Sequence, residues 1–402
     1  MGQRDLSSFF KNYLKKESIF TEKSVLQANH TPTELCHRDE QISVIRDVLA
    51  PSVRLNKPSN IFLYGKTGTG KTVTVKFVTN ELMTFCEEND LPVRVFYLNC
   101  KLKRVADTEY RLIAQLAREF GEDIPATGLP TDEVYKMFLS SISKKKQLLI
   151  IILDEIDQLV QKAGDEILYN LTRINTELQN AQISIIGISN NLTFSNDLDP
   201  RVKSSLSEEE LVFPPYNAVQ IQDILKHRAE RAFKKNSIKP GVIEKCAALA
   251  AREHGDARRA LELLRVAGEI AERKSLAYVD MSHIDEAEQK IERDKIYDIV
   301  ITQPKQHQIT LYSILKLSKS RETSLYTSEV YDVYKSICIE IGLKPLTSRR
   351  LLDILGEFDM LGLINTKVIS KGRYGRTKEI TLAIPSSSWD KNIDFLKNTL
   401  DL

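Results

Sequence analysis

Apolar side chains at Ile42, Ile45 and Leu49 recur at helical spacing, and Pro51 and Pro58 end that helix before a short apolar strand, Ile61–Tyr64. A glycine-rich turn follows, then a helix with Val75, Val78, Leu82 and Phe85 on one face and a strand at Val93–Leu98. Leu112, Leu116 and Phe120 mark another helix. The apolar run Leu148–Leu153, a helix carrying Ile167, Leu171, Ile174 and Leu178, and a strand at Ile183–Ile188 continue the alternation. Strands that are apolar throughout, rather than at every second position, belong to a parallel sheet covered on both faces. The pattern therefore predicts an α/β core.

Beyond Pro214-Pro215 only helical periodicity remains, interrupted near Pro240-Gly241 and His254-Gly255 and ending at about residue 298. From Gln303 come two or three helices and then two β-rich stretches, Gly362–Ser370 and Thr377–Ile384, with Lys371-Gly372-Arg373-Tyr374-Gly375-Arg376 between them. Helices followed by a basic hairpin suggest a winged helix. The first thirty residues are polar, with a Phe9-Phe10 pair and a Thr31-Pro32 break, and read as a loosely held arm. The expected division is an arm over 1–30, an α/β core over 31–215, a helical lid over 216–300 and a winged helix over 301–402.

The 402 residues are 42% hydrophobic and 28% charged, which excludes global disorder and exceeds the usual size of one core. A net charge of +2 is too mild to declare a nucleic-acid partner, so local distribution has to decide. The five cysteines stand singly, without spacing for zinc or a disulfide framework. No charged-then-apolar leader opens the sequence, and Leu148–Leu153 is far too short to cross a bilayer. A cytoplasmic protein with no membrane partner is expected.

Gly65-Lys66-Thr67-Gly68-Thr69-Gly70-Lys71-Thr72 fits the phosphate-loop pattern between a strand and a helix. Glycines let the backbone present its N–H groups to phosphate oxygens, and the helix N-terminus adds positive potential. Lys71 is expected on the β- and γ-phosphates and Thr72 on Mg²⁺, which makes ATP or ADP with Mg²⁺ the expected cofactors. Leu148–Leu153 ends in Asp154-Glu155 at the carboxyl edge of the sheet, where Asp154 suits the metal shell and Glu155 suits polarising a water.

With those two motifs in that order, residues from about 30 to 298 resemble the AAA+ ATPases. The resemblance implies further roles. Asn190, in Ile188-Ser189-Asn190, resembles the polar sensor between the magnesium-site acids and the γ-phosphate. Arg258, in Gly255-Asp256-Ala257-Arg258, resembles the second sensor of the lid. Arg201, in Asp199-Pro200-Arg201-Val202, resembles the arginine finger that completes a neighbour's site, and His37-Arg38 is similar to the segment that wraps the adenine.

Leu35-Cys36-His37-Arg38-Asp39-Glu40, the Asn190 sensor, Gly255-Asp256-Ala257-Arg258-Arg259-Ala260 and the C-terminal winged helix together resemble the archaeal origin-recognition initiators, over nearly the whole chain. That family implies double-stranded origin DNA, the replicative helicase or other initiator subunits as partners, and slow ATP hydrolysis. It also implies a helical insertion after the second strand that touches DNA, near Lys101, Lys103 and Arg104. One departure stands out. Eukaryotic relatives often carry a second arginine where this chain has Ser205, which puts trans-activated hydrolysis in doubt. A loader or motor ATPase and a nucleotide-switched transcription regulator remain as alternative readings.

From residue 300 onward there are fifteen Lys or Arg against eleven Asp or Glu, and the surplus is concentrated in the hairpin at Lys367, Lys371, Arg373, Arg376 and Lys378. Such a wing suits a phosphate backbone or a groove, and Tyr374, within the same segment, is a further DNA-binding candidate. Upstream, Thr347 or Ser348 caps a helix whose first turn, Ser348, Arg349 and Arg350, is the candidate for base edges.

Overall fold

The computed structural model describes residue 10 and residues 17–402, apart from 28–29, 102–107, 126–127, 195–197, 207–208, 253–254, 321–323, 371–375, 385–388 and 401. For 205–206, 292–302, 368, 370, 376–377 and 391 the backbone alone is described. The chain divides into two compact units, Met1–Ile284 and Asp285–Leu402.

The first unit is built on a five-stranded sheet: β1 (Ile61–Tyr64), β2 (Val93–Asn99), β3 (Gln147–Asp154), β4 (Ala181–Ser189) and β5 (Glu209–Val212). All four pairings are parallel and the order is β2-β3-β4-β1-β5. Along β3, alternate side chains enter different cores. Leu148, Ile150 and Ile152 pack with Val75 and Val78, while Leu149, Ile151 and Leu153 pack with Leu112, Leu116 and Phe138. This two-faced burial is why the strand reads as an unbroken apolar run. Truncating a fully buried member such as Ile151 to Ala removes its transfer energy and leaves a void, at a cost of about 2–5 kcal/mol. The chain crosses from β1 to β4 through two intervening strands, so the carboxyl ends of β1, β3 and β4 lie side by side.

The lid helices Ala218–Ala232, Val242–Arg252 and Ala257–Arg273 follow β5. Asn217 and Gln220 form a capping box at the first of them, and Asp256 caps the third by accepting from Arg258 N and Arg259 N. Against these helices lies a segment expected to be loosely held. Ile19, Phe20, Val25 and Leu26 are buried, with Phe20 4.7 Å from Phe233 and seated over Gly268, where a Cβ would meet it at 2.4 Å. Thr21 N donates to Ala232 O and Lys234 N to Ile19 O, closing a short backbone bridge. Four apolar residues without helical or strand period gave no pattern to read, yet together they seal the lid.

The second unit has the helices Lys305–Ser320, Thr327–Glu340, Ser348–Met360 and Trp389–Leu400 around β6 (Leu325–Tyr326), β7 (Ile364–Ser370) and β8 (Arg376–Leu382). The three strands form an antiparallel sheet in the order β6-β8-β7, which with the preceding helices makes a winged helix. Its core gathers Leu311, Tyr334, Leu355, Phe358, Ile380 and Leu396. β6 and the closing helix Trp389–Leu400 were not expected from the pattern.

Candidate nucleotide site and nucleic-acid interface

β1 is completely buried and delivers the loop Gly65–Gly70 to the start of the helix Lys71–Glu88. Gly68 and Gly70 have φ of +70° and +93°, backbone that L-residues rarely adopt. Both also lack room: a Cβ on Gly68 would lie 1.7 Å from Asp256 Oδ1, and one on Gly70 2.5 Å from Tyr216 Oη. Glycine is thus required twice over, by conformation and by neighbours.

Lys71 is buried, and its ammonium donates to Gly65 O at 2.7 Å, Lys66 O at 2.8 Å and Asn190 Oδ1 at 2.9 Å. Burial, and next the positive charge of Arg258, pull its pKa down to about 8, against the opposing pull of Asp154, Asp157 and Asp256. At the end of β3, Asp154 accepts from Thr72 Oγ1 at 2.9 Å and from Tyr97 Oη at 2.6 Å, and through its other oxygen from Glu155 N at 3.0 Å. Burial and the Asp154 carboxylate push the Tyr97 hydroxyl well above its ordinary pKa, so it remains a donor. The Lys76 ammonium sits 4.0 Å from the centre of the Tyr97 ring. Glu155 holds φ of +55°, an uncommon conformation for a residue with a side chain, and its Oε2 is 3.8 Å from Lys101 Nζ.

These groups line one lobe of a cleft, with Gly68, Thr72, Lys76, Asn99, Asp154, Glu155, Asn190 and Arg258 in its wall. A second lobe of about 190 Å³ shares Gly68, Gly70, Thr72, Lys76 and Arg258 and is closed by His30–Cys36, Tyr216, Ile224, Arg228 and Leu261. The structure brings Lys71, Thr72, Asp154, Glu155, Asn190 and Arg258 together. Other expected residues point elsewhere. The His37 ring reaches Asp223 Oδ2 at 3.1 Å, and the Arg38 guanidinium turns inward to main-chain carbonyls, so neither lines the second lobe. Their immediate upstream neighbours, residues 30–36, do so instead. Arg201 is exposed and binds its near neighbour Asp199, and it is not among the described residues lining either lobe. Lys66 is exposed and Thr67 Oγ1 lies 3.4 Å from Asp256 Oδ2.

Tyr97, Tyr216 and Asp256 went unforeseen. Asp256 carries a legible sign, an acid just ahead of a helix, and Tyr97 stands two residues before Asn99, which pairs in register with Asp154. Tyr216 carries none.

In the second unit, Ser348, Arg349 and Arg350 are exposed on the first turn of the helix Ser348–Met360, which Thr347 caps by accepting from Arg350 N. Arg350 Nη1 lies 3.4 Å from Asp353 Oδ2. β7 and β8 pair from Ile364↔Leu382 to Ser370↔Arg376, with Lys367 exposed and Lys378 half-buried. Lys103, Arg104, Lys371, Arg373 and Tyr374 fall outside the described residues, as does the side chain of Arg376. No helix among the described residues is long and apolar enough to cross a membrane.

A parallel sheet with a phosphate loop after β1, paired acids after β3 and a helical lid bearing Arg258 defines an AAA+ ATPase fold, here with a C-terminal winged helix. Family models agree segment by segment: an AAA domain over 54–193, a Cdc6 AAA+ ATPase-type lid domain over 222–289 and a CDC6 C-terminal winged helix domain over 298–391. The ORC1-type DNA replication protein of Thermococcus onnurineus is 53% identical over 388 residues, covering 96% of this chain and 93% of that one. ORC1-type DNA replication protein 1 of Methanosarcina acetivorans is 51% identical over 95% of this chain and 92% of its own. The Aeropyrum pernix ORC1 protein, solved in complex with DNA, superposes with a TM-score of 0.82 at 42% identity, over 94% of this chain and 98% of that one. The chain belongs to the ORC1-type DNA replication proteins, the archaeal AAA+ replication initiators.

Proposed function

We propose that this initiator binds ATP or ADP with Mg²⁺ in the two-lobed cleft, hydrolyses ATP slowly, and holds duplex origin DNA through its winged helix and AAA+ core. The observation that carries the reading is the convergence of Lys71, Asn190, Thr72, Asp154 and Arg258 on one lobe. The loop N–H groups and Lys71 bind the phosphates, Arg258 reaches them from the lid, and residues 30–36 with Tyr216 form the wall against which the base rests. Thr72 Oγ1 and Asp154 Oδ2, 2.9 Å apart, are the hard oxygen donors that Mg²⁺ prefers, and the ion would neutralise charge between the β- and γ-phosphates. Glu155 orients the attacking water and accepts its proton. Arg201, exposed and paired with Asp199, acts on a neighbouring subunit's nucleotide.

The DNA side rests on Ser348, Arg349 and Arg350 at a helix start, on the wing residues Lys371, Arg373, Tyr374, Arg376 and Lys378, and on Lys101, Lys103 and Arg104 after β2. The relative solved in complex with DNA supports it. We take the working parts as an arm over 1–30, a core over 31–215, a lid over 216–300 and a winged helix over 301–402. The protein acts in the cytoplasm and helps recruit the replicative helicase or further initiator subunits. Isothermal titration of ADP and a non-hydrolysable ATP analogue into wild type and Lys71→Ala tests the cleft. Loss of at least a hundredfold in affinity is expected, and equal affinities would overturn the assignment.

A further inference from the structure

Arg38 is 2% exposed, yet among the described residues none of its hydrogen bonds goes to a carboxylate. Its Nε donates to Thr69 O at 2.9 Å, Nη1 to His37 O at 2.9 Å and Nη2 to Pro214 O at 2.7 Å. The guanidinium carbon lies 3.7 Å from the centre of the Tyr216 ring and 5.7 Å from that of Phe213. A buried cation satisfied wholly by carbonyls and aromatic faces is costly to desolvate, so it is retained only where those groups must be held together.

The three carbonyls belong to different working parts. Thr69 is in the phosphate loop, where amides that face phosphate leave the carbonyls on the far side. Pro214 is in the connection from β5 to the lid helix Ala218–Ala232. His37 precedes the first core helix, Asp39–Leu49. The connection itself is wedged against glycines on both sides. A Cβ on Gly65 would lie 2.6 Å from Phe213 O, one on Gly70 2.5 Å from Tyr216 Oη, and one on the lid's Gly255 2.4 Å from Tyr216 O. There is no slack between loop, connection and lid.

We infer that Arg38 is a positioning residue that ties the back of the phosphate loop to the core–lid connection, so that phosphate occupancy and lid position are coupled through its guanidinium. Drawing on the Thr69 carbonyl polarises the Thr69–Gly70 peptide and strengthens the Gly70 N–H as a donor toward the cleft. The same fork holds Pro214, so a shift of the loop on filling moves the connection with it. This route differs from a lid side chain reaching the γ-phosphate directly, and it rests on the reading that the cleft takes a nucleotide.

The test combines ADP titration with hydrogen exchange over residues 213–220, with and without saturating ADP, in wild type, Arg38→Met, Arg38→Lys and Lys71→Ala. In wild type ADP slows exchange of the connection. Arg38→Met binds ADP at least tenfold more weakly, and its connection exchanges at the same rate with and without saturating ADP. Arg38→Lys keeps the charge but not the planar fork, and is expected to regain affinity without regaining the protection. It also carries the test if Arg38→Met fails to fold. Protection by ADP that persists in either variant, its absence in wild type, or wild-type affinity in Arg38→Met overturns the coupling. Unweakened ADP binding by Lys71→Ala would instead remove the nucleotide assignment itself, which separates the two failures.

Discussion

The Lys71 ammonium donates to Asn190 Oδ1 across 2.9 Å, bridging the helix that follows β1 to the residue that follows β4. Because its other two donors are taken by Gly65 O and Lys66 O, the lysine is held in place before any phosphate arrives. Replacing Asn190 with Ala frees one donor for a phosphate oxygen while deleting the amide that lines the cleft. ATP affinity should therefore stay within about threefold, and single-turnover hydrolysis should fall by about 10²-fold, the usual effect of losing one preorganised polar group. An unchanged turnover rate would leave Asn190 with a purely structural role.

The lowered pKa of Lys71 makes nucleotide binding pH-dependent with a definite sign. Phosphate selects the protonated amine, and in the empty site that form is depleted as pH rises through about 8. ADP affinity should be flat below pH 7 and fall by up to tenfold per unit above 8, until the raised pKa of the bound state is reached. Titrations near pH 8 in buffers of different ionisation enthalpy should report proton uptake of about half a proton. Proton release on binding would contradict the assignment. Stability of the empty protein should move the opposite way: the folded pKa lies below the unfolded one, so this lysine's burial penalty is present below pH 8 and is relieved as pH rises toward its ordinary value.

Gly68 tests how the lid meets the loop. An alanine there would place its Cβ 1.7 Å from Asp256 Oδ1 and would hold a φ of +70°, which costs an L-residue about 1–2 kcal/mol before any clash. The lid also receives a direct bond, Ala257 N to Gly68 O at 3.3 Å, which the displaced loop would lose. Gly68→Ala should lower the melting temperature and weaken ADP binding, and adding Asp256→Ala should recover part of both losses by removing the obstacle. Strict additivity of the two substitutions in a double-mutant cycle would show that they do not meet.

The central strands β1, β3 and β4 were legible because burial on two faces imposes a continuous apolar run, whereas β5, Glu209-Glu210-Leu211-Val212 and mostly exposed, offers no such run and was not expected. The phosphate loop and Asp154-Glu155 were legible because their chemistry fixes residue type at each position. Direction was not. His37 and Arg38 adjoin the cleft in sequence, but the left-handed turn at His37 sends one ring to Asp223 and the following guanidinium behind the loop. The wall they were expected to form is made by residues 30–36, a stretch with no motif and no period. Tyr97 was hidden for another reason: in an edge strand with mixed exposure, a tyrosine that holds an aspartate looks like one that packs. Lys101 was expected on DNA from the family's insertion after the second strand, and a pattern of charges does not show that its ammonium lies 3.8 Å from Glu155.

Tyr97 gives a prediction about Asp154, the acid proposed to hold Mg²⁺. Its hydroxyl and that of Thr72 both donate to Asp154 Oδ2, so Tyr97→Phe should leave the carboxylate free to turn without emptying the core. The Mg²⁺ concentration needed for half-maximal ATP binding should rise by roughly three- to tenfold, toward the range typical of lost outer partners, while affinity in the absence of Mg²⁺ stays the same. An equal loss with and without Mg²⁺ would mean that Tyr97 serves the nucleotide and not the ion.

The winged helix separates two kinds of contact that a salt titration can tell apart. At the start of the helix Ser348–Met360, Arg350 is 3.4 Å from Asp353, with both side chains more than half exposed, while Arg349 occupies the neighbouring exposed position. Reaching DNA requires Arg350 to leave that pair, a modest loss for an exposed interaction, whereas Asp353 must then stand beside the duplex. Arg349→Ala should therefore relax discrimination between origin and random duplexes by about 1–3 kcal/mol, with Arg350→Ala costing less and Asp353→Asn strengthening both duplexes. Arg373, between β7 and β8 in the sequence, and Arg376, the first residue of β8, are expected on phosphates. Removing both should weaken the two duplexes alike and reduce the slope of log affinity against log salt by about 1.8, at roughly 0.9 per phosphate contact. Anisotropy titrations at several salt concentrations, with ADP saturating throughout, measure slope and discrimination together. If the wing variant keeps both its affinity and its slope, the wing does not lie on the backbone, and the duplex must be held by the AAA+ core.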